Sequence, residues 1–140
     1  MTKESRSTKA RSLSESAAPV STYPFVLIVI ELVGWYSVSP EAIAAHTAAR
    51  FLQALGPRTV VIDAMAGIGG NTIQFAHYFD KVIAIDISKE RLDMAAHNAA
   101  VYGVDENIEF ISGDFCQLAG KLKVPRSFVS HLWLIIMLIY

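Results

Sequence analysis

The sequence predicts an α/β fold built around a parallel sheet, and two features of the chain support this. Apolar, β-branched segments alternate with segments of helical periodicity, which is typical of parallel strands joined by right-handed crossovers. The first strand is a continuous apolar run that ends in an acid and a glycine-rich turn at residues 67–70, as expected of a strand buried on both faces. The predicted strands are residues 59–63, 81–87 and 107–111, with the first one central among the three.

A helix precedes the first strand. Ser39 is expected to be its N-cap, and Pro40 and Glu41 its first residues, an order that matches the preferences of helix N-termini. Apolar residues at helical spacing form one face, and Gly56-Pro57 ends the helix. We expect this apolar face to pack beside the sheet.

The glycine-rich turn after the first strand indicates a ligand that approaches the backbone closely. Glycine has no Cβ, which would otherwise collide with such a ligand. Asp86 lies at the end of the second strand, 23 residues after Asp63, where a carboxylate can accept both hydroxyls of a ribose. Acid, glycine turn, helix, strand and second acid together predict a nucleoside-binding unit.

Two nucleoside ligands are open at this point, a nicotinamide dinucleotide and S-adenosylmethionine. Dinucleotide folds favour the pattern G-x-G-x-x-G, with the pyrophosphate at the helix N-terminus. Gly67 and Gly69 fit this pattern, but Thr72 occupies the third glycine position. The Asp63 carboxylate would repel a pyrophosphate, whereas it would attract the cationic sulfonium and amino group of S-adenosylmethionine. The residues therefore favour S-adenosylmethionine.

The helix after the second strand bears on the role of Asp86. Ser88 can cap that helix, and its apolar stripe ends at Gly103. Asp86 is then left without an evident structural duty, which favours a role in ligand binding. A third acid, Asp114, follows the third strand and either joins the ligand site or caps a short helix.

Composition limits the possible functions. The chain has 140 residues, a net charge of −1 and one cysteine, which fit a single domain without a disulfide framework. The near-zero charge argues against a broad electrostatic surface for nucleic acid. We expect a disordered arm at residues 1–33, an S-adenosylmethionine-binding core at 34–120 and an apolar, divergent tail at 121–140. Neither apolar segment outside the core reaches the roughly 20 residues that span a bilayer.

Two stretches of the core are distinctive: Gly-Trp-Tyr-Ser-Val-Ser-Pro-Glu at residues 34–41 and Gly-Gly-Asn-Thr-Ile-Gln at residues 69–74. With the strands that follow, to about residue 118, they resemble the trimethylguanosine synthase family. The resemblance implies a Rossmann-like, class I S-adenosylmethionine methyltransferase fold, of which this chain holds an incomplete part. It also implies methyl transfer to N2 of the 7-methylguanosine cap of small nuclear and nucleolar RNAs. The implied location is the nucleolus or Cajal body, with the cytoplasm as the alternative.

The resemblance implies a cofactor site with a role for each part. Asp63 and residues 67–71 would shape the methionine end, and Asp86 would hold the ribose. Asp114 and Phe115 would meet the adenine, while two serines would lie near the amino acid moiety. No metal is needed for the reaction, and no catalytic residue is assigned. The full predicted set is Ser37, Ser39, Asp63, Ala64, Gly67, Gly69, Gly70, Asn71, Asp86, Ile87, Asp114 and Phe115.

Two apolar features have alternative interpretations. Trp35 and Tyr36 either stack on a base or serve as buried packing anchors for the first helix. The uncharged run at residues 132–140 is predicted to fill the position beside the first strand, where the family has a further strand. Undocked, the same run would be an aggregation hazard.

The chain departs from the family pattern at two places. Residues 23–33 are almost entirely apolar, where family members carry an aromatic and basic segment that helps to hold the cap. The family's Ser-Pro-Pro-Trp motif sites the target amine, and nothing of that kind is recognised after Asp114. We therefore expect cofactor binding without methylation of capped RNA. A non-catalytic cofactor-binding remnant or decoy, and a nicotinamide-dependent oxidoreductase, are the alternative functions.

Overall fold

The computed structural model describes residues 27–122 and 127–130. None of the helices in these two ranges is long and apolar enough to cross a lipid bilayer. Short 3₁₀ turns precede the third strand and follow the last helix. In chain order the elements are α1 (Leu32–Ser37), α2 (Glu41–Leu55), β1 (Val60–Asp63), α3 (Gly70–Tyr78), β2 (Lys81–Asp86), α4 (Lys89–Val101), β3 (Ile108–Ser112), α5 (Phe115–Leu118) and β4 (Ser127–Ser130).

The strands form one parallel sheet in the order β3-β2-β1-β4. The strands predicted from the sequence are confirmed as β1, β2 and β3, with small shifts at their ends. The prediction that the first is central among the three is wrong, because β2 lies between β1 and β3. Both crossover helices pack on the same face of the sheet. Right-handed crossovers on one face advance the chain in one direction, so the three strands follow sequence order.

β4 extends the sheet on the other side of β1. It pairs with β1 in parallel, and Ser130 lies opposite Asp63 in the register. The sequence predicted that the uncharged run at residues 132–140 fills this position. The strand there is formed by residues 127–130, and the run itself lies outside the described residues. The segment expected to be a divergent tail therefore supplies a strand of the sheet.

Alternating side chains of the strands divide the core into two faces. On the helical face, Val61 and Val82 belong to the same buried cluster as side chains of α2, α3 and α4. Phe51 and Phe75 stack within it at 5.5 Å between ring centroids. Because the inner strands are apolar on both sides, only their ends are free to meet a polar ligand. The other face consists of Ile62, Ile83 and Ile85, covered by Phe115, Leu118 and Leu122.

The helix ends follow local sequence signals, with one exception. Gly56 has a φ of 79° and ends α2, as predicted. Ser88 caps α4, as predicted, by accepting a backbone hydrogen bond in the first turn. Ser39 does not cap α2, which has Pro40 as its N-cap without a side-chain hydrogen bond. The Ser39 hydroxyl instead accepts a hydrogen bond from the amide of Asn71, so it is engaged by a residue far away in sequence.

The short helix α1 was missed by the sequence reasoning, since it contains a glycine and has no capping side chain. Gly34 is its buried residue, and a Cβ there would lie 3.1 Å from the Ile68 side chain. Trp35 and Tyr36 are 65% and 82% exposed, so their interpretation as buried packing anchors is wrong. The boundary between the arm expected at residues 1–33 and the core expected from residue 34 lies within α1.

Tyr102, just beyond α4, ties that helix to α2. Its hydroxyl donates to Oε2 of Glu41 at 3.1 Å. The pKa of Tyr102 is raised above its usual 10.0. The largest cause is partial burial, and the charge and the hydrogen bond of Glu41 add to it. The folded state therefore favours the neutral phenol.

We predict that the stabilisation from this contact is lost at alkaline pH. The stability that it contributes is present below the ordinary tyrosine pKa and is lost as the pH rises through the raised value. Tyr102→Phe should therefore flatten the fall in unfolding free energy above the ordinary pKa, and Glu41→Gln should flatten it in part. Urea denaturation across alkaline pH measures both slopes. Slopes equal to that of the unsubstituted chain in both variants would contradict the prediction.

Candidate functional site

The residues after β1 form a tight turn. The Ala66 N–H donates to the carbonyl of Ile85 on β2 at 2.9 Å. Gly67 and Gly69 have φ values of 54° and 93°, in the left-handed region that favours glycine. A Cβ at Gly67 would meet nothing within 4 Å, so the turn leaves open space there. A Cβ at Gly69 would lie 3.1 Å from the Cβ of Ala95, so packing against α4 adds a second reason for glycine.

The carboxylate of Asp86 holds this turn to the end of β2. Its Oδ2 accepts from the Gly67 N–H at 2.8 Å, and its Oδ1 accepts from the Ser88 N–H at 2.9 Å. The prediction that Asp86 has no structural duty is therefore wrong. A helix cap was the only duty considered, whereas the bond to Gly67 joins positions far apart in the chain. Each carboxylate oxygen keeps a second lone pair, so the side chain can still accept hydrogen bonds from a ligand.

Asp63 lies at the end of β1 and is 4% exposed. Its Oδ2 accepts from the Thr72 hydroxyl at 2.7 Å. Thr72 is fully buried and stands where a dinucleotide site has its third glycine. A hydroxyl at that position helps to satisfy a buried carboxylate, which gives a physical reason for the departure from G-x-G-x-x-G. Asp63 thus ties the end of β1 to the start of α3.

Ser39 and Asn71 bring the segment before α2 to the same turn. The Asn71 amide nitrogen donates to the Ser39 hydroxyl at 3.1 Å. Oδ1 of Asn71 is buried and has no hydrogen-bond partner among the described residues. A buried acceptor is costly unless water or a ligand supplies a donor, so this atom marks a place for a polar ligand group. Ser37 is different, because it is exposed and its hydroxyl donates within α1 to Val33 at 3.0 Å.

Asp114 and Phe115 lie where β3 passes into α5. Asp114 caps that helix, with Oδ1 accepting from the Cys116 N–H at 2.9 Å. Its Oδ2 accepts from the side chain of Gln117 at 3.2 Å. The capping alternative for Asp114 is therefore confirmed, while its contact with an adenine stays a prediction. Phe115 packs against the isoleucine face of the sheet.

Three further predicted residues complete the edge. Ala64 is buried directly after β1, and Gly70 begins α3. A Cβ at Gly70 would come within 2.6 Å of the Val38 side chain, so this glycine permits the close approach of the segment before α2. Ile87 follows β2 and is 78% exposed. It presents apolar surface beside Asp86 at the same edge as the glycine turn.

One position at this edge was missed by the sequence reasoning. β4 ends at Ser130, opposite Asp63, and the sequence continues His131-Leu132-Trp133. Ser130 and Trp133 therefore keep the spacing of the Ser-Pro-Pro-Trp motif, while histidine and leucine replace its two prolines. The prediction that no such motif follows the third strand overlooked this spacing of serine and tryptophan. A search for serine and tryptophan three positions apart after a β-prone segment would have found it.

A cavity of about 210 Å³ lies on the helical side of the turn. Ser39 and Gly70 line it, but Asp63, Asp86 and Asp114 do not. The cavity thus borders the candidate site at Ile68 of the glycine turn and at the start of α3. Ligands of open α/β sheets bind outside the carboxyl ends of the strands, so we assign the candidate site to the acids and the glycine turn rather than to this cavity.

Comparisons with known proteins bear on this edge. A family model for RNA cap guanine-N2 methyltransferases matches residues 58–135, which include the glycine turn, all three acids and β4. The chain belongs to this family. It is 38% identical over 104 residues to trimethylguanosine synthase of Schizosaccharomyces pombe and 41% identical over 93 residues to that of Saccharomyces cerevisiae. These matches cover 74% and 66% of the chain but 43% and 29% of the relatives, so the chain spans less than half of their length.

The fold has close counterparts among solved structures. An rRNA methylase from Streptococcus thermophilus superposes with a TM-score of 0.51 at 25% identity, covering 57% of this chain and 48% of that one. The fold is therefore that of the class I S-adenosylmethionine methyltransferases, as the sequence predicted. The family match extends to residue 135, beyond the end of the core expected at residue 120.

We predict that the bond between Thr72 and Asp63 stabilises the start of α3. Thr72→Val keeps the shape of the side chain but removes the hydroxyl, so it should lower the unfolding free energy by about 1–3 kcal/mol, the cost of leaving a buried polar group unmatched. Thr47→Val is the control, because that hydroxyl makes an exposed bond to its own helix. Urea denaturation compares the two variants. Equal, small losses of unfolding free energy in the two variants would show that the buried bond stabilises the fold no more than the exposed one.

Proposed function

We propose that this chain is an S-adenosylmethionine-dependent RNA methyltransferase of the trimethylguanosine synthase type. The reaction of this type is methyl transfer to N2 of the 7-methylguanosine cap of small nuclear and nucleolar RNAs in the nucleus. The chain would bind the cofactor for this reaction but would not complete the transfer by itself, because it departs from the Ser-Pro-Pro-Trp motif. The observation that carries the proposal is the bond between Asp86 and the Gly67 N–H. In a chain of the cap guanine-N2 methyltransferase family, this bond joins the acid expected at the ribose to the turn expected at the methionine.

The residues at the edge fit the cofactor in three ways. The buried Oδ1 of Asn71 lacks a donor among the described residues, and the cofactor's ammonium group is a donor. The open space at Gly67 admits a ligand close to the backbone. The exposed Ile87 offers an apolar surface next to Asp86, as a nucleoside with a flat base and a polar ribose requires. Asp86 would hold the ribose, and Asp114 with Phe115 would border the adenine.

The chemistry needs orientation more than it needs a reactive side chain. S-adenosylmethionine would supply the methyl group of its sulfonium. The acceptor nitrogen would bond to that methyl carbon in line as the C–S bond breaks, with S-adenosylhomocysteine as the leaving group and the amine proton lost to water. The chain's part is to fix the position of both groups and to exclude water. Asp63 lies at the end of β1 beside the turn, and in its ionised form it would favour binding of a cationic ligand. The acceptor side would be formed beyond β4, where Ser130 stands opposite Asp63.

Exposed aromatic residues near the turn support an RNA substrate. Trp35 and Tyr36 on α1 are 65% and 82% exposed, and α1 rests on the turn through Gly34 and Ile68. RNA-binding proteins use aromatic side chains of this kind to stack unpaired bases. With the packing-anchor interpretation gone, base stacking is the role that we propose for these two side chains.

A second candidate function is a cofactor-binding module that does not catalyse. The replacement of both prolines by His131 and Leu132 favours it, because proline fixes the backbone angle φ and so presets the path of a loop. A nicotinamide-dependent oxidoreductase is disfavoured, since Thr72 fills the third glycine position and donates to Asp63.

The cofactor proposal predicts selective binding. Calorimetric titration of the 140-residue chain should detect S-adenosylmethionine and not NAD. Asp86→Ala should weaken S-adenosylmethionine by about 1–3 kcal/mol, because the ribose hydroxyls and the Gly67 N–H both lose an acceptor. Asp93→Ala removes the same charge from an exposed pair with Lys89 and should leave the affinity unchanged.

Three results would contradict this prediction. Binding of NAD alone would replace the cofactor assignment. Binding of neither nucleotide by the folded chain would remove it and leave a remnant without a cofactor. An unchanged affinity in an Asp86→Ala variant that is folded by circular dichroism would take Asp86 out of the site.

The acceptor side generates a separate prediction. We expect the chain to transfer no labelled methyl to a 7-methylguanosine-capped RNA, even with bound cofactor, because the sequence after Ser130 lacks both prolines of the family motif. The double substitution His131→Pro with Leu132→Pro should raise the transfer, whereas the same variant with Trp133→Ala should not. Transfer by the unsubstituted chain would refute the expectation directly and would exclude the non-catalytic alternative.

A further inference from the structure

α4 binds the segment that precedes α1, here called the strap and defined as residues 27–31. Three side chains of α4 make the contacts, and two of them, Arg91 and Asn98, lie two turns apart on one face of the helix. Arg91 forms an ion pair with Glu31, His97 lies 3.0 Å from the carbonyl of Leu27, and Asn98 bonds to the middle of the strap. Two of these contacts are on the surface or near it, whereas the third is buried.

Asn98 is 2% exposed and uses its whole amide. Its Oδ1 accepts from the Val29 N–H at 2.8 Å, and its Nδ2 donates to the Val29 carbonyl at 3.0 Å. The Asn98 amide thus makes the same two hydrogen bonds to Val29 that the backbone of a neighbouring β-strand would make. The same Nδ2 donates its second hydrogen to the carbonyl of Ile68 at 3.1 Å.

Ile68 belongs to the glycine turn, between Gly67 and Gly69. One buried side chain therefore connects the strap with the turn that is assigned to the cofactor. Gly34, just after the strap, packs on the side chain of the same Ile68. Ile68 and Asn98 thus connect the strap and α1 with the turn.

We propose that Asn98 is a positioning residue that couples the strap to the cofactor turn. This rests on the proposed function, because it assumes that the turn binds S-adenosylmethionine. With Asn98 in place, the Ile68 peptide is held and the neighbouring Gly67 N–H is kept in line with Asp86. Without it, the Val29 and Ile68 groups lose their partners, and the turn gains freedom that cofactor binding must remove.

The alternative is that Asn98 only stabilises the fold. In that case its loss would lower the stability without altering the turn in molecules that remain folded. The affinity for cofactor and the hydrogen exchange of the Gly69 amide, which donates to Ala66 at 2.9 Å, separate the two roles. A structural role alone leaves the affinity of the folded protein unchanged, and it speeds exchange of the Gly69 amide no more than exchange of the amides in β1 and β2.

The experiment compares three variants of the full chain. Asn98→Ala removes all the bonds, Asn98→Leu removes them while filling the space, and His97→Ala loosens the strap without touching the turn. Both Asn98 variants should weaken S-adenosylmethionine by about tenfold, the effect of one lost buried hydrogen bond. They should also speed exchange of the Gly69 amide by about tenfold. His97→Ala should change neither quantity.

The outcomes are distinguishable. Unchanged affinity and unchanged exchange in either folded Asn98 variant overturn the proposal. Equal losses in His97→Ala also overturn it, since the strap alone would then be responsible. If the unsubstituted chain binds no S-adenosylmethionine, the proposed function fails, while the exchange of Gly69 still decides whether Asn98 holds the turn.

Discussion

The carboxylate of Asp86 joins the end of β2 to the glycine turn and to the start of α4 through the N–H groups of Gly67 and Ser88. It is 8% exposed, and both bonds are partly buried, so each is worth more than a fully exposed contact. The positive φ of Gly67 directs its N–H toward the carboxylate of Asp86. Without the carboxylate, two partly buried N–H donors would lack this partner, at the edge where the ligand is proposed to bind.

The rest of the edge is arranged around that contact by similar long-range bonds. Thr72 holds Asp63, Asn71 holds Ser39, and Asn98 holds Ile68. Each bond joins a different segment to the turn or to the start of α3, into which the turn leads. The chain therefore presents a preorganised surface, which lowers the ordering cost that a ligand would otherwise have to offset.

The sequence was sufficient for the strands and for the positions of the acids, because apolar runs and glycine turns are local signals. It failed where distant residues decide the outcome. The place of β2 between its neighbours depends on two crossovers sharing one face, and Ser39 was taken for a cap because its true partner, Asn71, is remote. The helix α1 lacks any local signal, and its position is set by Gly34 packing on Ile68.

The central claim is that the acids and the glycine turn, rather than the cavity beside them, receive the cofactor. Amide NMR during titration with S-adenosylmethionine tests it most directly, since each backbone N–H reports on its own surroundings. We expect the largest changes in amide chemical shift at Gly67, Gly69 and Ile87. Shifts confined to the cavity wall around Ile73 and Tyr102 would contradict it and would move the ligand site to the helical side of the turn.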